Sequence, residues 1–180
     1  MTETAQTPPY TLGPDDKVAQ VMAYTASAFC WGEVVVKEMV RVSTWLRTNT
    51  APDRFCLYNA KAIITAGGAA ARPMSFSELH LATSQVLIYH LMPPAKDPPD
   101  YDPTEPNRHM QHVSLLVGSF RVDGNLRLST RSSVGKFLEI TREAFTSIYD
   151  ARISSPANPT FGTITVPYVL VRQEATIFTL

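Results

Sequence analysis

The chain has 180 residues, of which 44% are hydrophobic, and its 16 lysines and arginines balance 16 aspartates and glutamates. That hydrophobic content excludes a disordered chain, and the zero net charge lacks the basic excess of a typical nucleic-acid-binding protein. No apolar run approaches the ~18 residues of a membrane span, and the N-terminus has neither region of a secretory signal. We therefore expect a cytoplasmic protein that does not enter a membrane.

The first folded segment is predicted to span residues 18–92, after a polar, proline-containing tail at 1–17. Strands are expected at 18–24 and 29–37, because apolar and polar residues alternate there. Between 41 and 47 the period changes, and Val42, Trp45 and Leu46 fall on one face of a helical turn. Further strands are expected at 55–65, 76–81 and 85–91. A loop at 66–73, which contains Gly67 and Gly68, separates the first two, and a bend or bulge at 82–84 separates the last two.

A proline-rich linker is predicted at 93–111 and is net acidic. Prolines occupy six of the fifteen positions from 92 to 106, a composition that favours a stiff, extended connection. The length of the linker would let it cross one folded unit and allow the two flanking segments to pack together.

The second folded segment, 112–180, carries a similar series of elements. A helical turn is predicted where Val134, Phe137 and Leu138 share one face, with Ser132 and Ser133 as candidate N-caps. Strands are expected at 145–154, 161–166 and 169–178, with a bend or bulge at Pro167 and Tyr168, because proline cannot donate a hydrogen bond to a sheet.

The two segments repeat one pattern. Residues 31–46 align without a gap on residues 123–138, and this places Gly32 on Gly124. After a one-residue slip, 58–61 (YNAK) aligns with 149–152 (YDAR), and later 76–81 aligns with 161–166. The matching apolar pairs are Val34/Leu126, Val36/Leu128, Val42/Val134, Trp45/Phe137 and Leu46/Leu138. The pattern predicts a mainly β protein of two tandem, pseudo-symmetric units.

Each unit is expected to be a small β-barrel or bent sheet of five strands with one short helix. A helix as short as this helical turn is not stable alone. We therefore expect it to pack its aromatic residue and its leucine against the open end of the sheet, as a plug.

The combination of Gly32, the helical turn 41–46, Asn59-Ala60-Lys61 and the strand pair around 79–86 resembles a group of uncharacterised bacterial domains. The resemblance covers residues ~28 to 90. It implies a small barrel-like unit with a helical turn between strands, and it implies no activity. The second copy departs from the pattern at Ser133, which replaces Arg41, and at Gly135, which replaces Ser43.

Sequence motifs for catalysis or cofactor binding are missing, so we expect no enzyme activity, no cofactor and no metal. Cys30 and Cys56 are interpreted as free thiols, with a disulfide or a metal pair as the alternative, since the second copy has Val122 and Ser147 in their places. His109 and His112 lie beside Asp100, Asp102 and Glu105, but the extended linker is unsuited to hold a metal. His80 alternates with apolar neighbours and is expected to face solvent.

Three functions are considered. The leading one is a non-catalytic binding or assembly module that recruits protein partners, its own copies included, through paired sheet edges or faces. The second is weak binding of nucleic acid or another polyanion by basic residues around the helices. The third is a small-molecule or enzymatic site in the groove between the copies, lined by Cys56, Tyr58 or His80. The candidate binding residues are Arg41, Arg47, Lys136, Arg172 and Glu174.

Overall fold

The computed structural model of the chain describes residues 9–65 and 72–179. Ten strands within these residues form one antiparallel sheet. The loop with Gly67 and Gly68 lies outside the described residues, as do the first eight residues of the predicted tail. The strands are β1 Asp16–Tyr24, β2 Ala28–Lys37, β3 Arg54–Ile64, β4 Met74–Ala82, β5 Ile88–Leu91, β6 Arg108–Val117, β7 Phe120–Ser129, β8 Phe145–Ser154, β9 Thr163–Arg172 and β10 Thr176–Thr179.

The sheet has the order β10-β6-β7-β8-β9-β5-β1-β2-β3-β4. The first five strands of the chain therefore follow the order β5-β1-β2-β3-β4, and the last five follow the corresponding order β10-β6-β7-β8-β9. The two groups meet where β5 pairs with β9, in the register Ile88 to Val171 and Tyr89 to Leu170. β4 and β10 are the two edges of the sheet.

Short helices lie at the two predicted positions. Residues Val42–Arg47 form a 3-10 helix, and α1 spans Val134–Ile140. The Ser133 side chain accepts a hydrogen bond from the Lys136 amide, which caps α1 as predicted. Val42 and Leu46 are buried and Trp45 packs beside them, whereas in α1 Val134 is buried and Phe137 and Leu138 are partly buried against the core.

A β-bulge bends the sheet once in each half. In β3 two residues, Asn59 and Ala60, lie opposite Gly32, and Asn59 takes a φ of 47°. In β8 Asp150 and Ala151 lie opposite Gly124 in the same way, and Asp150 has a φ of 49°. Asn and Asp tolerate this left-handed conformation better than most residues, which accounts for their presence here.

The glycines opposite the bulges are required by the close approach of the backbone. A Cβ on Gly32 would lie 2.7 Å from the Tyr58 carbonyl oxygen, and one on Gly124 would lie 2.9 Å from the Tyr149 carbonyl oxygen. Both distances are too short for a carbon and an oxygen, so neither position accepts a side chain without movement of the strand.

The buried apolar residues form two clusters, one for each half of the sheet. The cluster of the second half also contains Tyr24, Phe29 and Ile88 from the first half. The cluster of the first half contains Phe145 and Leu170 from the second half. Each core is therefore completed by side chains from the other half.

The structure corrects parts of the sequence interpretation. The sheet is open, so the barrel alternative is wrong: the free side of β5 pairs with β9 of the other half. The bend or bulge expected at Pro167 and Tyr168 does not divide two strands, because β9 runs through it and the chain turns at 173–175 instead. Pro167 is tolerated there because the ladder between β8 and β9 skips it opposite the bulge residue Asp150. The alignment of Phe76 with Phe161 is wrong as well, because Phe161 ends a 3-10 turn. Val166 is the residue whose position in β9 corresponds to that of Phe76 in β4.

Candidate functional site

Arg172, one of the predicted binding residues, is buried at the junction between the two halves. Its Nε donates a hydrogen bond of 2.8 Å to the Val86 carbonyl, and its Nη2 donates to the Thr83 carbonyl. Its guanidinium also lies over the Phe145 ring, 4.5 Å from the ring centre. Since both carbonyls belong to the first half, Arg172 fastens β9 to the segment that precedes β5 and offers little surface to a partner.

Arg47 also contacts the opposite half. Its Nη1 donates a hydrogen bond to the Ser147 hydroxyl of β8, and its guanidinium lies 3.5 Å from Asp100 and 3.5 Å from Glu143. The Ser147 hydroxyl lies 2.7 Å from the Tyr168 hydroxyl. These contacts place the 3-10 helix of the first half on the outer face of β8 and β9.

The linker covers the same face. Asp100 accepts a hydrogen bond of 2.8 Å from the Tyr149 hydroxyl, and Tyr101 packs edge-to-face on the Tyr149 ring. Burial, and then the hydrogen bond to Asp100, raise the pKa of Tyr149, so that this hydroxyl remains a hydrogen-bond donor. Burial raises the pKa of Tyr168 to about 12. The linker is therefore part of the junction.

Arg41 binds the linker directly, by donating hydrogen bonds to the carbonyls of Pro98 and Pro99. Asp97 of the linker accepts a hydrogen bond of 3.0 Å from the Ser43 amide in the first turn of the 3-10 helix. Of the remaining predicted residues, Lys136 is exposed on α1, and Glu174 is exposed beyond β9 with its carboxylate 3.4 Å from Arg172. The five predicted residues thus form no single site.

Among the described residues, the outer face of β3 and β4 in the first half is uncovered except at Tyr58, on which Tyr10 packs. Cys56 pairs with His80 across the two strands, and Tyr58 pairs with Glu78. Because residues two apart on a strand share a face, these four side chains lie together. Cys56 and Tyr58 are half-buried, while Glu78 and His80 are exposed. The residues that hold the same register in the second half, Ser147, Leu170, Tyr149 and Tyr168, lie beneath the 3-10 helix and the linker.

The uncovered face brings together groups that can bind a metal. The nearest ligand atoms of Cys56, Glu78 and His80 all lie within 4.8 Å of one another. The distance between His80 Nε2 and Glu78 Oε2 is 3.3 Å. Burial raises the pKa of the Cys56 thiol, and the negative charge of Glu78 acts in the same direction. Within residues 9–65 and 72–179 this is the only cluster of three such side chains, and neither His109 nor His112 belongs to it.

Exposed apolar residues lie on the two edges of the sheet. Met74 and Phe76 of β4 are 42% and 38% exposed. At the other edge Ile177 of β10 is 64% exposed and lies beside Leu116, its exposed partner on β6. An unpaired edge with apolar side chains is an uncommon feature in a monomeric protein, since it invites pairing with another strand.

A groove of about 810 Å³ is lined by residues of both halves. Its wall includes three arginines and two acidic residues, Arg47, Arg54, Arg142, Asp53 and Glu143. Cys56, Tyr58 and His80 do not line it. The groove therefore lacks the nucleophile and the base that the enzymatic alternative assigned to it.

Comparison of the chain with protein-family models, with curated proteins and with solved structures finds no match. In the part of the chain that the structure describes, no helix has the length and the hydrophobicity that crossing a bilayer requires. The function must therefore be argued from the geometry of this chain alone.

Sequence reasoning grouped Cys56 with Tyr58 and His80 in the groove between the copies, and it did not consider Glu78, the third member of the cluster. Cys56 and His80 are 24 positions apart, a separation at which only a strand register brings side chains together. The signal was nevertheless present, because both residues lie in predicted strands joined by a predicted hairpin loop.

Proposed function

We propose that the chain is a non-catalytic assembly module, built from two copies of one β-rich unit, that joins further copies of itself through its free sheet edges β4 and β10. Support for the duplication comes from the matching strand order of the two halves. The paired glycines and the paired bulge residues Asn59 and Asp150 support it as well.

The internal junction indicates how copies would join. It pairs β9, the fourth strand of the second half, with β5, the fifth strand of the first half. The free edges of the sheet are β4, the fourth strand of the first half, and β10, the fifth strand of the second half. They are therefore the counterparts of β9 and β5 in the opposite halves. A second copy with its β10 beside β4 would repeat the internal junction. Such a contact joins two different surfaces, so it continues into a ring or a filament.

The observation that carries the proposal is the contrast between the two outer faces. In the second half the face of β8 and β9 is covered by the 3-10 helix Val42–Arg47, through Arg47 and Ser147. In the first half, as far as residues 9–65 and 72–179 show, the matching face of β3 and β4 is bare except for the contact of Tyr10 with Tyr58. The matching helix, α1, carries Ile140 with 74% of its surface exposed. Repeating the junction would place α1 of one copy on the bare face of the next.

The polyanion alternative has less support, because several of the basic residues that it would use are paired with acidic residues or buried. Arg47 contacts Asp100 and Glu143, and Arg127 contacts Glu105 at 2.6 Å. Arg172 is buried. These contacts reduce the free positive charge that a phosphate backbone would require.

Light scattering coupled to size-exclusion chromatography tests the assembly. We expect the wild-type chain to have a mass of several chains. Phe76→Lys on β4 and Ile177→Lys on β10 each place a charge at an exposed edge position, and each should yield the mass of one chain. Met39→Lys, at a position 92% exposed outside both edges, is the matched control and should assemble as the wild type does.

Mixing the two edge variants separates this geometry from a symmetric one. Phe76→Lys keeps an intact β10, and Ile177→Lys keeps an intact β4, so an equimolar mixture should form a dimer and stop there. Pairing of β4 with β4, or of β10 with β10, would leave one variant fully assembled and give no dimer specific to the mixture. A wild-type mass of one chain at all concentrations up to ~1 mM would contradict the proposal, since a Kd of ~1 mM corresponds to a binding free energy of only about 4 kcal/mol.

A further inference from the structure

We infer that Cys56, Glu78 and His80 on the outer face of β3 and β4 form a binding site for a single zinc ion. The inference goes beyond the proposed assembly and does not depend on it, since all three ligands come from one chain. Nothing in the fold requires these residue types there, because the second half builds the same strands with Ser147, Tyr168 and Leu170 in the matching positions.

The backbone fixes the three side chains on one face. Cys56 and His80 are direct partners in the register of β3 and β4, and Glu78 lies two residues before His80 on the same strand. Directly opposed residues and residues two apart on one strand point to the same side of a sheet. Rigid strands hold ligands better than a loop does. His109 and His112, the other candidate pair, lie on β6 three positions apart and therefore on opposite faces of the sheet.

The distances fit zinc with little movement. Zinc bonds of ~2.3 Å to sulfur, ~2.0 Å to nitrogen and ~2.1 Å to oxygen place tetrahedral ligand atoms roughly 3.4 to 3.6 Å apart. His80 Nε2 and Glu78 Oε2 are 3.3 Å apart, and the full set of ligand atoms lies within 4.8 Å. Rotation of the exposed side chains would bring the more distant ligand atoms to the separation that zinc requires. A thiolate, an imidazole and a carboxylate together favour zinc over magnesium or calcium, which prefer oxygen ligands alone.

Three protein ligands leave one coordination position of a tetrahedral ion open toward solvent. Glu78 and His80 have side chains that are 46% and 63% exposed, so an ion can reach the site without opening of the fold. The Tyr58 ring borders the cluster on β3, and Tyr10 of the N-terminal segment packs on Tyr58 with ring centres 5.0 Å apart. The site therefore lies at the border between a solvated face and a small aromatic patch.

The experiment measures binding of zinc to the purified full-length chain, by competition with a chromophoric chelator, and of cobalt by its absorption. We expect one ion per chain, and a thiolate-to-cobalt charge-transfer band in the near ultraviolet. Cys56→Ser, Glu78→Gln and His80→Gln should each weaken zinc binding by at least about 100-fold, because loss of a mere supporting partner already costs 10-fold to 100-fold. The Cys56→Ser variant should also lose the charge-transfer band.

The matched controls are His112→Gln and Glu174→Gln, which replace exposed residues outside the cluster, and both should bind zinc as the wild type does. The melting temperature without metal, followed by circular dichroism, should be similar in all variants, and added zinc should raise it only where the three ligands are intact. Repeating the titration with Ile177→Lys separates this inference from the assembly, because the assembly would place α1 of the next copy over the same face, whereas this variant should remain a single chain with that face open. Equal binding by wild type and Cys56→Ser, or binding abolished by a control, would overturn the inference.

Discussion

His90 on β5 should make the stability of the fold depend on pH. Its side chain is fully buried, and its Nδ1 donates a hydrogen bond of 2.8 Å to the Leu91 carbonyl. The other ring nitrogen, Nε2, therefore accepts a hydrogen bond of 2.9 Å from the Tyr24 hydroxyl. This arrangement satisfies a neutral ring, and burial lowers the pKa of His90 from 6.5 to about 4.

The sign of the effect follows from the lowered pKa. Above pH 6.5 the ring is neutral in both the folded and the unfolded chain, so the pH has no influence through this residue. Between pH 6.5 and about 4 the unfolded chain takes up a proton and the folded chain does not. Each pH unit in this window costs about 1.4 kcal/mol, so the full loss is about 3 kcal/mol once the pH falls below 4.

Urea unfolding followed by circular dichroism measures this loss, in a series at pH values of about 7.0, 6.0, 5.0 and 4.5 that lies within and just above this window. The free energy of unfolding should fall by about 2 kcal/mol across the series. The lowered pKa values of Asp16, Asp123 and Glu105 add losses of stability at the acidic end of the range, and we expect these to be the same in the wild type and in His90→Gln. In His90→Gln the remaining part of the slope should disappear, whereas His80→Gln, at an exposed histidine, should keep it. A flat wild-type profile, or an unchanged slope in His90→Gln, would refute the reasoning.

Two further predictions concern stability. Gly124→Ala should cost about 1–3 kcal/mol in the free energy of unfolding, because its Cβ would lie 2.6 Å from Ile148 Cγ2; Gly135→Ala in α1, with open space around it, should instead stabilise by up to about 1 kcal/mol. Equal effects of the two substitutions in urea unfolding would contradict the role of the bulge. Arg172→Met should cost at least about 2 kcal/mol, because two charge-assisted hydrogen bonds at roughly 1.5–3 kcal/mol each are lost. Glu174→Gln is its control, and a loss below ~0.5 kcal/mol in Arg172→Met would show that the buried guanidinium is not structural.

Much of the fold was predictable from local patterns. The alternation at 29–37 and the helical spacing of Val42, Trp45 and Leu46 each reflect a repeating geometry that a single segment contains. The alignment paired the motifs around Asn59 and Asp150, which lie at the two bulges, but the sequence did not show the left-handed backbone conformation of these residues. The prediction of a mainly β protein is confirmed.

The candidate site was less predictable, because it depends on which strands become neighbours. Arg172 is an arginine in an apolar strand, and its burial follows from the pairing of β9 with β5, which no local pattern encodes. Pro167 suggested a bend or bulge, yet it lies within β9. It is accommodated there because the pairing of β8 with β9 is interrupted at Asp150 and Pro167. The convergence of Cys56, Glu78 and His80 likewise requires the register of β3 and β4.

The exchange of core residues between the halves has a consequence for how the chain must fold. Cutting the linker and separating the pieces would expose Tyr24, Phe29 and Ile88 on one fragment, and Phe145 and Leu170 on the other. Neither fragment would then hold a complete interior. The proposed duplication then implies that a single ancestral unit would have filled those gaps with a second copy of itself.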